Sequence, residues 1–326
     1  SLHDALPIWL TFDGAGAGVV TVNIGSTFTT PASSEFTGER ANGRGADTVL
    51  GFEHVKGSAS NDTLIGSDGN NILIGGGGSG DEVYGRGGND YIVANGLMYG
   101  GSGNDTMLAA ADANNTFVGE DGDDSIVGAN ARDGFVLGAG NDVMDGKGNT
   151  ATAIATVDGQ DRVDYATYYD AAAGVAITLN ASSDSATGLG AQAIVMGGGD
   201  VGSDTLSNIE YLIGSNNGAD TVYNFQNNYW LAGNGGVDTL NFSTLTNDAT
   251  VDLLNWNVSL SGQGSLRAWD FENVLTGSGN DLARGLGITG TPTEVIGHIL
   301  NCREDYVMDL GQVSWNGCEK PRLFAI

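Results

Sequence analysis

Residues 100–108 read Gly-Gly-Ser-Gly-Asn-Asp-Thr-Met-Leu, and this nine-residue plan decides the fold. Small residues come first, then Asn or Asp, then a hydrophobic residue. The same plan appears in GSASNDTLI from Gly57, GSDGNNILI from Gly66, GRGGNDYIV from Gly85, GEDGDDSIV from Gly119, GANARDGFV from Gly128 and LGAGNDVMD from Leu137. A period near nine is not helical, so the array predicts short stacked strands joined by tight turns.

Two positions of the plan are nearly constant along the array. The sixth is acidic or its amide, at Asp62, Asn71, Asp81, Asp90, Asp105, Asn115, Asp124, Asp133 and Asp142. The residue two places later is apolar, at Leu64, Leu73, Val83, Ile92, Met107, Phe117, Ile126, Phe135 and Met144. One hydrophobic residue per repeat, pointing the same way each time, predicts a continuous narrow core.

A longer repeat surrounds the array. It is marked by the pairs Phe52-Glu53, Ile209-Glu210 and Phe271-Glu272, each followed by a Gly-Ser pair. An alternating strand precedes each marker, at residues 20–24, 175–179 and 251–253, and period-two alternation indicates a half-buried strand. We interpret residues 10–66, 160–222 and 239–284 as three copies of one strand-and-turn module.

These repeats predict six segments along one elongated unit. We take residues 1–9 as a non-native leader, 10–66 as the first strand module with the first loops, and 67–150 as the nonapeptide array. Residues 151–222 are the second strand module and 223–290 a short array with the third. The tail, 291–326, loses the rhythm and carries both cysteines, Cys302 and Cys318.

The charge balance limits the partners. The chain has 40 Asp and Glu against 12 Lys and Arg, a formal net charge of -28. Nucleic acid and anionic membrane are unfavourable partners, because both require clustered basic residues. No run of 18 apolar residues predicts a membrane span. Stacked carboxylates would instead attract a multivalent cation, and calcium takes six to eight oxygen ligands from carboxylates and backbone carbonyls.

The nonapeptide plan resembles the Gly-Gly-x-Gly-x-Asp-x-hydrophobe-x pattern of the RTX, or hemolysin-type, calcium-binding repeat family. The resemblance implies an all-β fold: a parallel β-roll, or β-solenoid, with two nonapeptides per turn, flanked by strand-rich spacer modules. It also implies calcium between loops on the same side, type I secretion and folding outside the cell.

The resemblance assigns calcium to residues in the loops. They are Asp62, Asp81, Asp90, Gly100, Gly101, Gly103, Asp105, Gly119, Gly122, Asp124, Asp133, Gly138, Gly140 and Asp142, with isolated loops at Asp47, Asp220 and Asp238.

Two nonapeptides per turn sort these positions into stacks. Asp105, Asp124 and Asp142 should form one, and Asp62 with Asp81 another. Asn71 should face Asp90, and Asn115 should face Asp133. We expect the insertion 94–99 to interrupt stacking near Asp90.

A simpler alternative is that the loops are only turns, since Asn-Gly and Asp-Gly suit tight turns without metal. That reading leaves the recurrence of Asp unexplained. An unscreened carboxylate pair at about 4 Å is repulsive by roughly 4 kcal/mol at an effective dielectric near 20.

The function predicted is a calcium-binding structural or surface segment of an extracellular protein, secreted or cell-surface associated, and not an enzyme. HExxH and GxSxG motifs are absent, and only three histidines occur. Two alternatives stay open. One is the calcium module of a secreted protease, lipase or epimerase. The other is a carbohydrate- or ice-binding solenoid using an aromatic group, for which core packing is the favoured role: Tyr165, Tyr168, Tyr169, Tyr223, Phe225, Tyr229 and Trp230.

Overall fold

The structure is a computed structural model of the 326-residue chain. It describes residues 9–12, 19–24, 35–36, 47–48, 52–147, 164–180, 192–197, 200–225, 229–253, 255–279, 281–284 and 306–308. Most of the predicted leader and tail, with both cysteines, lies outside these residues. The division into six segments stays a prediction.

The described residues form short strands and contain no helix. In the first half the strands are β1 (Trp9–Thr11), β2 (Thr21–Asn23), β3 (Glu35–Phe36), β4 (Asp47–Thr48), β5 (His54–Lys56), β6 (Thr63–Ile65), β7 (Ile72–Ile74), β8 (Asp81–Gly87), β9 (Tyr91–Ala94), β10 (Gly96–Ser102), β11 (Thr106–Ala109), β12 (Asn115–Asp121), β13 (Ser125–Val127), β14 (Asp133–Val136) and β15 (Val143–Asp145). In the second half they are β16 (Tyr165–Thr167), β17 (Val175–Asn180), β18 (Gln192–Gly197), β19 (Ser203–Ser207), β20 (Tyr211–Ile213), β21 (Thr221–Tyr223), β22 (Trp230–Ala232), β23 (Thr239–Asn241), β24 (Ala249–Asp252), β25 (Asn257–Leu260), β26 (Gly264–Trp269), β27 (Asn273–Leu275), β28 (Leu282–Arg284) and β29 (Tyr306–Met308). Within the described residues there is no helix with the length and apolar character needed to cross a membrane.

The chain divides into two compact units. The first contains Ser1–Ala166 and Val201–Ile209, and the second Thr167–Asp200 and Glu210–Ile326. In the first unit consecutive strands from β5 to β15 alternate between two parallel sheets. One has the order β1-β5-β7-β9-β11-β13-β15-β19, and the other β2-β6-β8-β10-β12-β14-β16. This arrangement confirms the predicted all-β roll, in which one coil contributes one strand to each sheet.

The core of the first unit lies between these sheets. Strands of three to seven residues place alternate side chains inward, and the inward residue is the hydrophobic one predicted from the repeat. Ile92, Met107 and Ile126 are fully buried from one sheet, with Phe117 and Phe135 from the other. The rings of Phe117 and Phe135 stack at 5.2 Å between centroids, with 7° between planes. Burial of each such side chain is worth about 1.5–3 kcal/mol.

The second unit mixes parallel and antiparallel pairs. One sheet has the order β18-β17-β21-β23-β27, in which β17 and β18 are antiparallel. The other has the order β20-β22-β26-β25-β24-β28-β29, with antiparallel pairs between β24 and β25 and between β25 and β26. Hairpins in this unit therefore interrupt the parallel coiling, which continues in the pairs β17-β21, β21-β23, β23-β27, β20-β22 and β22-β26.

The aromatic group proposed as a sugar platform does not lie on one surface. Tyr168, Phe225 and Tyr229 are buried, with at most 3% of each exposed. Tyr169 and Tyr223 are exposed, at 50% and 39%. The favoured core role therefore holds for the three buried rings.

Candidate metal sites

The sixth-position residues stand where each loop enters its next strand, and their side chains turn inward. Asp62, Asp81, Asp90, Asp105, Asp124, Asp133 and Asp142 each have 3% or less of their surface exposed. Burial of a carboxylate is unfavourable unless hydrogen bonds or a cation compensate it. The partners of each oxygen atom therefore indicate what the site requires.

A ladder of hydrogen bonds joins these residues along one edge of the roll. We call it the first edge, formed by loops 66–71, 85–90, 100–105, 119–124 and 137–142. At each step a backbone N–H donates to Oδ1 of the corresponding residue one coil later. The pairs are Asn71 to Asp90 (2.7 Å), Asp90 to Asp105 (2.7 Å), Asp105 to Asp124 (2.9 Å), Asp124 to Asp142 (2.9 Å) and Asp142 to Asp204 (2.9 Å).

The second edge is formed by loops 57–62, 75–81, 110–115 and 128–133. Its ladder runs from Asp62 to Asp81 (2.9 Å), from Gly96 to Asn115 (2.9 Å), from Asn115 to Asp133 (2.8 Å) and from Asp133 to Asp164 (2.7 Å). The structure thus brings together the predicted stacks on both edges.

The predicted interruption near Asp90 is wrong. Asp90 donates directly to Asp105, so the first edge is continuous there. The coil between Asp90 and Asp105 is short, and only Asn95 separates β9 from β10. The missing loop belongs to the second edge, where Gly96 occupies a ladder position without a carboxylate.

The ladders also contain residues that the sequence reasoning did not select. The first-edge ladder reaches Asp204 and the second reaches Asp164, and both residues are fully buried. In the second unit, the Asp238 N–H donates to the Glu272 carboxylate at 2.7 Å. Asp164 and Asp204 have the Asp-x-apolar pattern of the array. They follow Asp133 and Asp142 by 31 and 62 residues, so the nine-residue period does not identify them.

The second carboxylate oxygens divide the aspartates into two classes. In Asp62, Asp133 and Asp220, Oδ2 accepts a backbone N–H from the same loop, from Ser58 (2.5 Å), Ala129 (2.6 Å) and Ser215 (2.7 Å). In the other class, Oδ2 is buried and has no hydrogen-bond partner among the described residues. That class contains Asp81, Asp90, Asp105, Asp124, Asp142 and Asp238.

The backbone four residues earlier accounts for this difference at Asp90, Asp105 and Asp124, but not at Asp142, where Gly138 has no left-handed φ. Arg86, Gly101 and Glu120 precede Asp90, Asp105 and Asp124, and have φ of 80°, 107° and 69°. Ser58 and Ala129 occupy the same place before Asp62 and Asp133 without this left-handed conformation, and their N–H groups reach the carboxylate. A left-handed residue at this position therefore leaves the carboxylate oxygen open.

The open carboxylates are unfavourable as anions. Burial, and then the charges of Asp142, Asp105 and Asp123, raise the pKa of Asp124 to about 8. Burial and the charge of Asp105 raise the pKa of Asp90 to about 7. The pKa of Asp105 and that of Asp142 rise to about 6, again mainly through burial.

The remaining pKa values shift in the same direction. Burial is the main cause at Asp238, where the pKa rises to about 7, and it also raises the pKa values of Asp81, Asp133 and Asp220. Burial thus disfavours the charged form of each of these carboxylates, and a nearby cation would favour it.

Glycine occupies the fourth position of each first-edge loop, and at Gly103, Gly122 and Gly140 it lies against a backbone carbonyl oxygen of the preceding loop. Gly103 and Gly122 have φ of 121° and 133°. A Cβ added to Gly103 would collide with the Gly88 carbonyl oxygen, and one added to Gly122 with that of Gly103. The same relation joins Gly140 to Gly122 and Gly202 to Gly140. These carbonyls therefore form a column directed at the next loop.

The other predicted glycines also lie in close contacts. Added Cβ atoms would meet Oδ2 of Asp105 at Gly100, Oδ2 of Asp124 at Gly119, the Arg86 carbonyl at Gly101 and the Glu120 carbonyl at Gly138. Asp47 lies in β4, and its side chain is outside the described part of the structure.

We expect Gly122→Ala to destabilise the folded array. The added methyl group meets backbone that cannot rotate away, a collision of about 1–3 kcal/mol, and left-handed φ adds about 1 kcal/mol. The measurement is the urea midpoint in saturating calcium. Gly69→Ala is the matched control, because its Cβ would meet only Ser67 Oγ at 3.9 Å. Equal midpoints for both variants would contradict the close stacking of loops.

Calcium fits these oxygens. Among the described residues no three Asp, Glu, His or Cys side chains converge to hold an ion, so carboxylates alone do not complete a site. Open Oδ2 atoms and the carbonyl column together provide oxygen donors of the kind that calcium takes. Imidazole and thiolate ligands, which zinc prefers, are not part of the set.

Comparison with known families agrees with this chemistry. The model of the RTX calcium-binding nonapeptide repeat matches the chain four times, over residues 50–80, 80–96, 97–114 and 110–144. No curated protein matches the chain significantly. The matched residues include both edges and every coil of the ladder from Asp62 to Asp142. Residues 50–144 therefore form an array of RTX calcium-binding nonapeptide repeats, as their sequence plan suggested.

Proposed function

We propose that the array is a calcium-dependent structural segment of an extracellular protein, and that calcium binding drives its folding. The observation that carries this proposal is the run of buried, open Oδ2 atoms on successive coils, at Asp90, Asp105, Asp124 and Asp142. Without a cation, folding must bury these carboxylates against one another.

The energetics favour coupling between ion and fold. Adjacent parallel strands lie about 4.8 Å apart, and carboxylates at that spacing repel by roughly 3 kcal/mol at an effective dielectric of 20. A divalent ion between coils turns repulsion into attraction, and an ion that binds only the native state contributes its binding free energy to folding.

An extracellular location supports this coupling. Extracellular calcium modules bind with Kd of about 10⁻⁴–10⁻³ M, which millimolar calcium saturates and cytosolic calcium does not. The array would then stay expanded inside the cell and fold outside it. Only a calcium-binding repeat family is identified in the chain, which supports a structural rather than a catalytic role.

The test is a calcium titration of the full chain, followed by circular dichroism and calorimetry. We expect little β signal in chelator and a cooperative gain as calcium rises towards about 10⁻³ M. The triple variant Asp105→Ala, Asp124→Ala, Asp142→Ala should require at least about tenfold more calcium, because it removes three consecutive ligand side chains. Magnesium is the control ion, since it takes a smaller, stricter octahedral shell. Full β structure in chelator would refute the proposal.

A further inference from the structure

The two edges of the roll differ in how their coils are held together. On the first edge, the open Oδ2 atoms belong to four consecutive coils, at Asp90, Asp105, Asp124 and Asp142. The carbonyl column of the fourth-position glycines lies on this same edge, and on the second edge the Ser58 and Ser60 carbonyls approach Gly76 and Gly78 in the same way, so the carboxylates distinguish the two edges.

On the second edge, contacts within the protein occupy the corresponding positions. Asp62 accepts the Ser58 N–H at Oδ2 (2.5 Å), and the Ser58 hydroxyl (3.0 Å) and the Val20 N–H (2.7 Å) at Oδ1. Asp133 accepts the Ala129 N–H at Oδ2 (2.6 Å). At Oδ1 it accepts the backbone N–H (2.8 Å) and the side-chain Nδ2–H (2.9 Å) of Asn115. Neither carboxylate has an open oxygen.

The middle of the second edge is joined by an amide side chain. Asn95, 5% exposed, donates from Nδ2 to the Gly78 carbonyl (3.1 Å) and accepts the Ala111 N–H at Oδ1 (2.8 Å). It thus connects the loops before and after the missing one. Asn115 adds a bond from Nδ2 to the Ala113 carbonyl (2.7 Å).

Asp81 is the one second-edge residue of the array with an open Oδ2. Its neighbours in the ladder are Asp62, whose oxygens are both engaged, and Gly96, which has no side chain. A single carboxylate without an open partner on the adjacent coil supplies too few oxygens for a site between coils.

We propose that calcium binds along the first edge only, and that the second edge is fastened by the chain's own side chains. This inference rests on the proposed function and narrows it: Asp90, Asp105, Asp124 and Asp142 hold ions, whereas Asp62 and Asp133 are fastening residues. The array then has one edge that assembles with calcium and one that needs none.

Two matched double variants test the asymmetry. The first-edge variant is Asp105→Asn with Asp124→Asn, and the second-edge variant is Asp62→Asn with Asp133→Asn. Each variant removes two buried carboxylates and leaves one amide oxygen at each of the two positions. Asn71 and Asn115 show that the ladder accepts Asn. Calcium bound per chain is counted by equilibrium dialysis at saturating calcium, after circular dichroism has verified the fold.

We expect the first-edge variant to bind about half as many ions as the unmodified chain or fewer, since three of its inter-coil positions lose a carboxylate. The second-edge variant should keep the full number and show only a lower melting temperature. Equal losses in both variants would overturn the one-edge inference while leaving calcium binding intact. If the unmodified chain binds no calcium, the proposed function itself fails. Should a double variant not fold, single variants Asp124→Asn and Asp133→Asn make the same comparison.

Discussion

In chelator, lowering the pH from about 8 to about 5 should stabilise the array instead of unfolding it. The open carboxyls have raised pKa values in the folded state, about 8 at Asp124 and about 7 at Asp90, against 3.8 ordinarily. Between those values the folded state holds more protons than the unfolded state, so its stability falls as pH rises. For each pH unit of acidification over which one carboxyl is protonated only in the folded state, the free energy of unfolding increases by about 1.4 kcal/mol.

Circular dichroism in chelator at several pH values measures this effect, and the β signal, small at about pH 8, should increase as the pH falls. In saturating calcium the urea midpoint should instead decrease as the pH falls, because protons compete with the ion for Oδ2 of Asp90, Asp105, Asp124 and Asp142. A β signal in chelator that is constant or falls on acidification would contradict the burial of these carboxyls as acids.

Replacing Phe117 with Ala should destabilise the calcium-loaded array by about 3–5 kcal/mol. Phe117 is fully buried and stacks on Phe135 of the next coil of the same sheet, so its removal leaves a cavity shared by two coils. Repeat proteins depend on contacts between neighbours, so the defect should divide the array into two less cooperative parts. Calorimetry in calcium should therefore show a lower and broader transition.

Tyr91→Ala is the matched control for Phe117→Ala. Tyr91 lies on β9 in the same array, but its side chain points outward and is 41% exposed. We expect its removal to change stability by less than about 0.5 kcal/mol. A comparable loss in the two variants would mean that the narrow core between the sheets is not the main source of stability.

The repeat alone was enough to predict the roll. Its period fixes the length of a coil, and the apolar residue two places after each Asp fixes the inward face, as Met107 and Ile126 show. The pairing of same-edge loops followed from two nonapeptides per turn. These features depend on residues close together in the chain, and such signals are strong in a tandem array.

The difference between the two edges was not predictable from the pattern. Asp62 and Asp105 occupy the same place in the repeat, yet only Asp105 has an open Oδ2. At Asp90, Asp105 and Asp124 the cause is a left-handed φ four residues earlier, which neither Glu120 nor Arg86 reveals by residue type, and Asp142 has an open Oδ2 without it. The effect of the short coil at Asn95 was misplaced for a related reason, because the sequence shows how many residues are missing but not which loop has been lost.

The ladder described above gives the stack a direction. Each Asp in it directs its amide towards the following coil and its carboxylate towards the preceding one, as Asp105 does between Asp124 and Asp90. The two directions along the ladder are consequently not equivalent, because donors point one way and acceptors the other. A coil that continued this ladder would have to run in the same parallel sense, since a reversed coil would place donor against donor and acceptor against acceptor.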